Sequence, residues 1–107
     1  MYHLSFIKEL VGWIHKNLEQ PLSINIVASK SGYSPWHLQR LFKQYMGDSL
    51  ATYIRRERLQ NAASELLSSS RSIADIACKY QFDSHQSFSR AFKRMYSVTP
   101  THYRKEK

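Results

Sequence analysis

The chain has 107 residues and carries 16 Lys and Arg against 8 Asp and Glu, a formal charge of +8 with the histidines neutral. That length holds one domain, and 42% hydrophobic residues with 14 aromatics supply a modest core that buries about two-thirds of the unfolded chain's surface. Only three glycines and three prolines exclude a collagen-like or linker-like chain and disfavour a turn-rich sandwich or barrel, so the predicted fold is all-α.

Taken in chain order, Phe6, Ile7, Leu10, Val11, Ile14 and Leu18 recur at three-and-four spacing and predict a first helix from about Ser5 to Leu18. Gln20-Pro21 ends it. Ser23 then suits the N-cap of a short helix carrying Ile24, Val27 and Ala28, with Gly32 as the left-handed residue that stops it. Ser34-Pro35 restarts the chain, because a capping hydroxyl followed by proline at the first helical position is a strong start signal. This third helix runs to about Met46 and closes at Gly47. Two short helices meeting at a glycine-containing turn form the helix-turn-helix pattern.

From Leu50 to Leu67 the chain has no Gly or Pro and is rich in Ala, Leu, Arg and Glu, which predicts one rigid helix of about 27 Å. Leu50 and Ile54 lie on one side of it, while Leu59, Ala62, Ala63 and Leu66 lie almost opposite. A helix with two apolar faces suits a connector that is buried in a different subdomain at each end. Ser68-Ser69-Ser70-Arg71 is a polar break, and Thr99-Pro100 starts a short last helix holding Tyr103 and Arg104.

The pattern occurs twice. Ser23-Ile24, Val27-Ala28, Lys30 and Tyr33 are matched 49 residues later by Ser72-Ile73, Ile76-Ala77, Lys79 and Phe82. After a one-residue insertion, Leu38, Arg40, Phe42 and Lys43 are matched 50 residues later by Phe88, Arg90, Phe92 and Lys93. The expected organisation is therefore an N-terminal helix-turn-helix subdomain at 1–47, a linker helix at 48–67 and a C-terminal helix-turn-helix subdomain at 68–107, with about seven helices in all.

The outward faces carry the chemistry. In the third helix the angular count puts Leu38, Leu41, Phe42 and Tyr45 on the core side and leaves Trp36, Gln39, Arg40 and Lys43 exposed. Arg can bond guanine bidentately, Gln can bond adenine, and an indole can pack against thymine methyls. A solvated polar face with a partly tucked tryptophan is the bland alternative, and recurrence of the layout in the second copy weighs against it. There Phe88, Ala91, Phe92 and Met95 form the core stripe, leaving Gln86, Ser89, Arg90 and Lys93 facing away and His85 at the side of the first turn. Ser84 is the expected N-cap, beside backbone amides that suit a phosphate oxygen. Lys43, Lys93, Arg94 and Arg55 are expected at phosphates, with Arg56 and Arg58 at phosphates or in solvent.

Other chemistries fit poorly. No two of His3, His15, His37, His85 and His102 stand at i, i+3 or i+4, and Cys78 has no thiolate companion nearby, so no metal site is expected. Cys78 aligns with Ser29 at a position expected to be packed or half-packed, while Met46 and Met95 are expected in the core. No glycine-rich phosphate loop, nucleophile elbow or core-facing carboxylate pair exists, so neither enzymatic activity nor a cofactor is expected. A single cysteine fits a reducing cytoplasm, and no export segment or membrane span is legible, so the positive charge is expected to meet a nucleic acid or an acidic surface.

The run Gly32-Tyr33-Ser34-Pro35-Trp36-His37-Leu38-Gln39-Arg40-Leu41-Phe42-Lys43, the strut Tyr53-Ile54-Arg55, the segment from Ile76-Ala77 to Phe82-Asp83-Ser84, and the ending Thr99-Pro100 to Tyr103-Arg104 resemble the AraC/XylS family of bacterial transcription regulators. The likeness is greatest to its short MarA, SoxS, Rob and RamA group and covers nearly the whole chain. It implies two recognition helices, at about 34–46 and 84–96, entering successive major-groove segments of one asymmetric promoter site. Trp36, Gln39 and Arg40 match base-contacting residues of the first, and Gln86, Ser87, Ser89 and Arg90 fall where the second makes its contacts, with His85 where the group usually carries glutamine. The resemblance further implies a monomeric cytoplasmic, nucleoid-associated activator of stress and multidrug-resistance genes. It would contact RNA polymerase at the C-terminal domain of the polymerase alpha chain or at the sigma factor, with no separate effector domain within these residues. The rival readings are a repressor on the same fold and a basic module that binds nucleic acid or an acidic protein without reading sequence.

Overall fold

Hydroxyl caps and left-handed residues set the helix boundaries. The computed structural model describes residues 2–106, which form α1 (Tyr2–Lys16), α2 (Ile24–Ser31), α3 (Pro35–Met46), α4 (Leu50–Ser68), α5 (Ile73–Lys79), α6 (His85–Tyr96) and α7 (Pro100–Glu106). The fold is all-α, with two helix-turn-helix units and a long helix between them. Its two compact units are Met1–Glu57 and Arg58–Lys107, and the boundary falls inside α4.

In the first unit α1 and α2 pack on α3. Ile7, Leu10, Ile14, Val27, Leu38, Phe42, Leu50 and Ile54 are buried there, and the Phe42 and Tyr53 rings meet at 5.4 Å. Helix α1 starts earlier than the periodicity predicts and ends two residues sooner. The Asn17 amide bonds the Ile14 carbonyl at 2.9 Å and its side chain bonds the Trp13 carbonyl at 2.7 Å, tightening the last turn so that Leu18 is buried from outside the helix. His15 Nε2 and the Tyr53 hydroxyl share a 2.8 Å hydrogen bond, with Glu57 Oε1 3.6 Å from the same nitrogen. Burial chiefly, and the Glu57 charge next, push the Tyr53 hydroxyl's pKa up against the opposing pull of Arg56.

In the second unit α5 and α7 pack on α6. Phe82, Phe88, Phe92, Tyr96 and Tyr103 form a chain of ring contacts, of which Phe92 on Tyr96 is a stack at 4.6 Å. Leu59, Ala62, Ala63 and Leu66 of α4 are buried on this side. Arg104 of α7 closes the end of α4, donating from Nε to the Leu66 carbonyl at 2.9 Å and from Nη2 to the Ser69 carbonyl at 3.2 Å. Glu65 ties α4 to α5: its Oε1 accepts from Lys79 Nζ at 2.7 Å and from the Tyr80 hydroxyl at 3.2 Å, and Arg71 Nε lies 3.5 Å from Oε2. Burial alone would raise its pKa, but the Lys79 hydrogen bond and charge, the Tyr80 hydroxyl and the Arg71 charge together hold the carboxyl below its ordinary value of 4.5.

The duplication extends to the backbone. Ser23 and Ser72 cap α2 and α5 with almost the same geometry, φ −65° ψ 159° and φ −65° ψ 157°. Gly32 and Gly47 are left-handed at φ 82° and 83°, and the equivalent positions of the second unit are Gln81 at 68° and Ser97 at 69°.

Three expectations about burial fail. Tyr45 and Met95, expected on the core stripes, and Met95 also as a core methionine, are 36% and 37% exposed. They occupy equivalent places in the last turns of α3 and α6. Periodicity gives a side chain's direction but not whether a neighbour lies there to cover it. Cys78, expected packed or half-packed, is exposed like its counterpart Ser29, because α5 turns Ile76, Ala77 and then Tyr80 inward.

The left-handed stops and the Glu65 cluster each make a testable contribution to stability. Ser97→Gly is expected to stabilise the chain by about 0.5–1 kcal/mol, since the left-handed cost of a side chain, about 1–2 kcal/mol, exceeds the entropy that glycine adds to the unfolded chain. Gly47→Ala should act oppositely although its Cβ would meet nothing within 4 Å; urea unfolding of both variants checks the signs. Glu65→Gln is expected to cost about 1–3 kcal/mol near neutral pH through loss of charge-assisted bonds. A carboxyl with a depressed folded pKa stabilises fully above its unfolded value of 4.5 and loses that contribution as pH falls through the lower folded value. The urea midpoints of wild type and variant should therefore converge on acidification.

Candidate nucleic-acid interface

Helix α3 begins where the Ser34 hydroxyl accepts the His37 amide at 3.2 Å and Pro35 fills the first helical position. Leu38 and Phe42 are wholly buried, which fixes the rotation of the helix about its axis and sends Trp36, Gln39, Arg40 and Lys43 outward. Trp36 is 66% exposed, the most open of the large apolar side chains among the described residues. The Arg40 guanidinium lies over its indole, with Cζ 4.7 Å from the ring centroid. Trp36, Gln39, Arg40, Lys43 and Gln44 line one shallow hollow of about 450 Å³ on this face. Gln44 is the member that sequence reasoning misses, although it stands four residues after Arg40 and so shares its side of the helix.

Helix α6 starts from a reciprocal cap. Ser84 Oγ accepts the Ser87 amide at 3.0 Å, while Ser87 Oγ accepts the Ser84 amide at 3.2 Å and donates to the Ser84 carbonyl at 3.1 Å. Both hydroxyls are thereby engaged at the helix start. Phe88 and Phe92 are wholly buried, leaving His85, Gln86, Arg90, Lys93 and Arg94 exposed and Ser89 half-buried. The structure thus brings Trp36, Gln39, Arg40 and Lys43 onto one face and Gln86, Arg90 and Lys93 onto the corresponding face of the second unit.

The arginines of α4 divide. Arg55 is exposed, as a phosphate contact requires. Arg56, by contrast, donates to Asp48 at 2.9 Å and lies 5.7 Å over the Tyr53 ring, and Arg58 is buried enough that desolvation lowers its pKa. Both stay half-buried, so each still reaches solvent while Arg56 also pairs with Asp48. Spacing conceals the Asp48 pairing, because Asp48 lies outside α4. Tertiary packing also gathers His3, Tyr33 and His37, with centroid distances of 6.4 Å between the histidines and 4.9 Å from Tyr33 to His37. Among the described residues, no three of His, Cys, Asp and Glu come together as a metal site, and no helix is long and apolar enough to cross a membrane.

Two helix-turn-helix units, each turning a polar, cationic helix face outward, define a DNA-binding protein of the double helix-turn-helix class. A helix-turn-helix domain family matches residues 27–106. The chain is 46% identical to the regulatory protein SoxS of Escherichia coli over 97% of both chains. It is 50% identical to the transposon Tn10 TetD protein of Escherichia coli over 99% of this chain and 77% of TetD. It also matches the transcriptional regulator Rob of Salmonella typhimurium at 48% identity over 98% of this chain, spanning 36% of Rob. Among solved structures, the C-terminal domain of the response regulator AraT from Geobacillus stearothermophilus superimposes with a TM-score of 0.89 at 32% identity, covering 95% of this chain and 85% of that one. The DNA-binding domain of AdpA, solved with a target DNA, shares the fold at a TM-score of 0.88 and 22% identity over 94% of this chain and 90% of its own. The chain belongs to the AraC/XylS family of DNA-binding transcription regulators, in the group that includes SoxS and Rob.

Proposed function

We propose that this protein is a transcription activator that binds one asymmetric promoter site as a monomer, laying α3 and α6 into successive major-groove segments. The observation that carries the reading is the exposed set Trp36, Gln39, Arg40 and Lys43 on α3 and its counterpart Gln86, Arg90 and Lys93 on α6. Arg40 and Arg90 are the guanine readers, Gln39 and Gln86 suit adenine, and Trp36 packs against thymine methyls and sugar edges. His85, at the open edge of α6, and Ser89 complete the second base-contacting set. Ser87 joins it only if its hydroxyl turns from the cap, and Ser84 offers its helix-start amides to a phosphate. Lys43, Lys93, Arg94 and Arg55 supply sequence-independent affinity at phosphates.

Kinship with SoxS and Rob supports promoters of stress and multidrug-resistance genes as the targets, and recruitment of RNA polymerase through its alpha C-terminal domain or sigma factor as the output. The protein acts by binding rather than by catalysis, in the bacterial cytoplasm at the nucleoid.

Selection from a random duplex pool followed by footprinting tests the reading. One monomer is expected to protect two unlike half-sites about 10 base pairs apart on one face of the duplex, whereas a palindromic site filled only by a dimer overturns it. Readout separates from affinity in two variants. Arg40→Ala should lose about 1–3 kcal/mol on the selected site and relax base choice at one or two positions. Lys93→Ala should weaken all duplexes alike and flatten the salt slope by about one unit. Titrations of specific and random duplexes across a salt series measure both.

A further inference from the structure

We infer that Trp36 is a positioning residue for Arg40: its ring face holds the guanidinium ready for base readout, so that the first unit's base discrimination depends on a stacked Trp36–Arg40 pair. The inference rests on the DNA-reading function proposed above and adds to it a role for the indole that precedes any contact with DNA.

The pair stands four residues apart on one helix, and Arg40 Cζ lies 4.7 Å from the ring centroid while Trp36 remains 66% exposed. A free arginine side chain has several rotatable bonds, and a bidentate contact must freeze them. A carboxylate partner would also hold the guanidinium, but it would occupy the donors that guanine needs. Stacking differs in this respect. The ring engages the flat face of the guanidinium through its π-electrons and leaves the N–H groups around the edge unspent, in the plane that a base edge must enter. A second arginine–ring pair among the described residues, Arg56 over Tyr53, illustrates the contrast, because there the guanidinium also donates to Asp48.

The second unit lacks the device. Position 36 corresponds to Gln86 and position 40 to Arg90, so the residue one turn before the second arginine offers no ring. The two reading arginines are thus prepared differently. Arg40 meets DNA already oriented, and Arg90 is ordered on binding, which makes the first half-site the more stringently read.

The full chain with Trp36→Phe, Trp36→Leu, Arg40→Ala and the two Trp36/Arg40→Ala doubles tests this. Leucine keeps apolar bulk toward the DNA but has no π-face; phenylalanine keeps a ring. In the free protein, NMR should show the Arg40 Hδ and Hε protons displaced by the indole ring current, moving back toward ordinary positions in Trp36→Leu while those of Arg90 stay unchanged. On duplexes carrying each base pair at the position that Arg40 reads, Trp36→Leu should reduce the preference for the best base by about two- to five-fold, with Trp36→Phe closer to wild type. In the Arg40→Ala background, replacing Trp36 should no longer alter that preference. Arg40 protons indifferent to Trp36, or losses of preference that simply add, overturn the inference. A wild type without preference among duplexes would overturn the DNA-reading function itself and this role with it, an outcome distinct from additive losses in a wild type that does discriminate.

Discussion

A phenylalanine at equivalent places in the two units, Phe42 and Phe92, governs the rest of the structure. Each is wholly buried, the first against Tyr53 of the long helix and the second among Phe88, Tyr96 and Tyr103. Burying such a ring is worth about 1.5–3 kcal/mol, and rotating its helix by one residue would expose it while driving Lys43 or Lys93 inward. The anchor therefore fixes which side of α3 and α6 meets solvent. Everything on the outward faces follows from that rotation, including the exposure of a tryptophan that no core covers.

Three acidic side chains bind α4 to its neighbours. Glu65 gathers Lys79, Tyr80 and Arg71, Asp48 pairs with Arg56, and Glu57 lies beside His15. Helices α3 and α6 contain no acidic residue, so their lysines and arginines contribute an undiluted positive field. The second unit is the more basic, with nine Lys and Arg against four Asp and Glu compared with seven against four in residues 1–57. Its outward face on α6 carries no exposed indole, whereas that of α3 carries Trp36.

Duplication preserved the backbone more strictly than the residues that favour it. Glycine occupies both left-handed stops in the first unit, while Gln81 and Ser97 adopt the same conformation in the second despite the steric cost of a Cβ. Backbone hydrogen bonds close those turns, from the Gln81 amide to the Cys78 carbonyl and from the Ser97 amide to the Lys93 carbonyl. The helix starts differ in the same way: Ser34-Pro35 begins α3 by preorganisation, and Ser84 with Ser87 begins α6 by reciprocal hydrogen bonding. Different local means bring two helices to the same rotation over their cores.

Helical period and capping chemistry are local properties, so the chain alone specifies the seven helices, most of their caps, the duplication, and the outward direction of Trp36, Gln39, Arg40, Lys43, Gln86, Arg90 and Lys93. What depends on which elements meet emerged only on folding. Packing left Tyr45, Met95 and Cys78 uncovered, and it paired Arg56 with Asp48 and partly desolvated Arg58. It made Glu65 the hub of the second unit and gathered His3 with His37 across 34 positions of chain. A helical repeat encodes the direction of a side chain but carries no information on what lies in that direction. For the same reason the proximity of Arg40 to Trp36 was within the reach of their spacing, but the conformation that brings the guanidinium over the ring belongs to the folded chain.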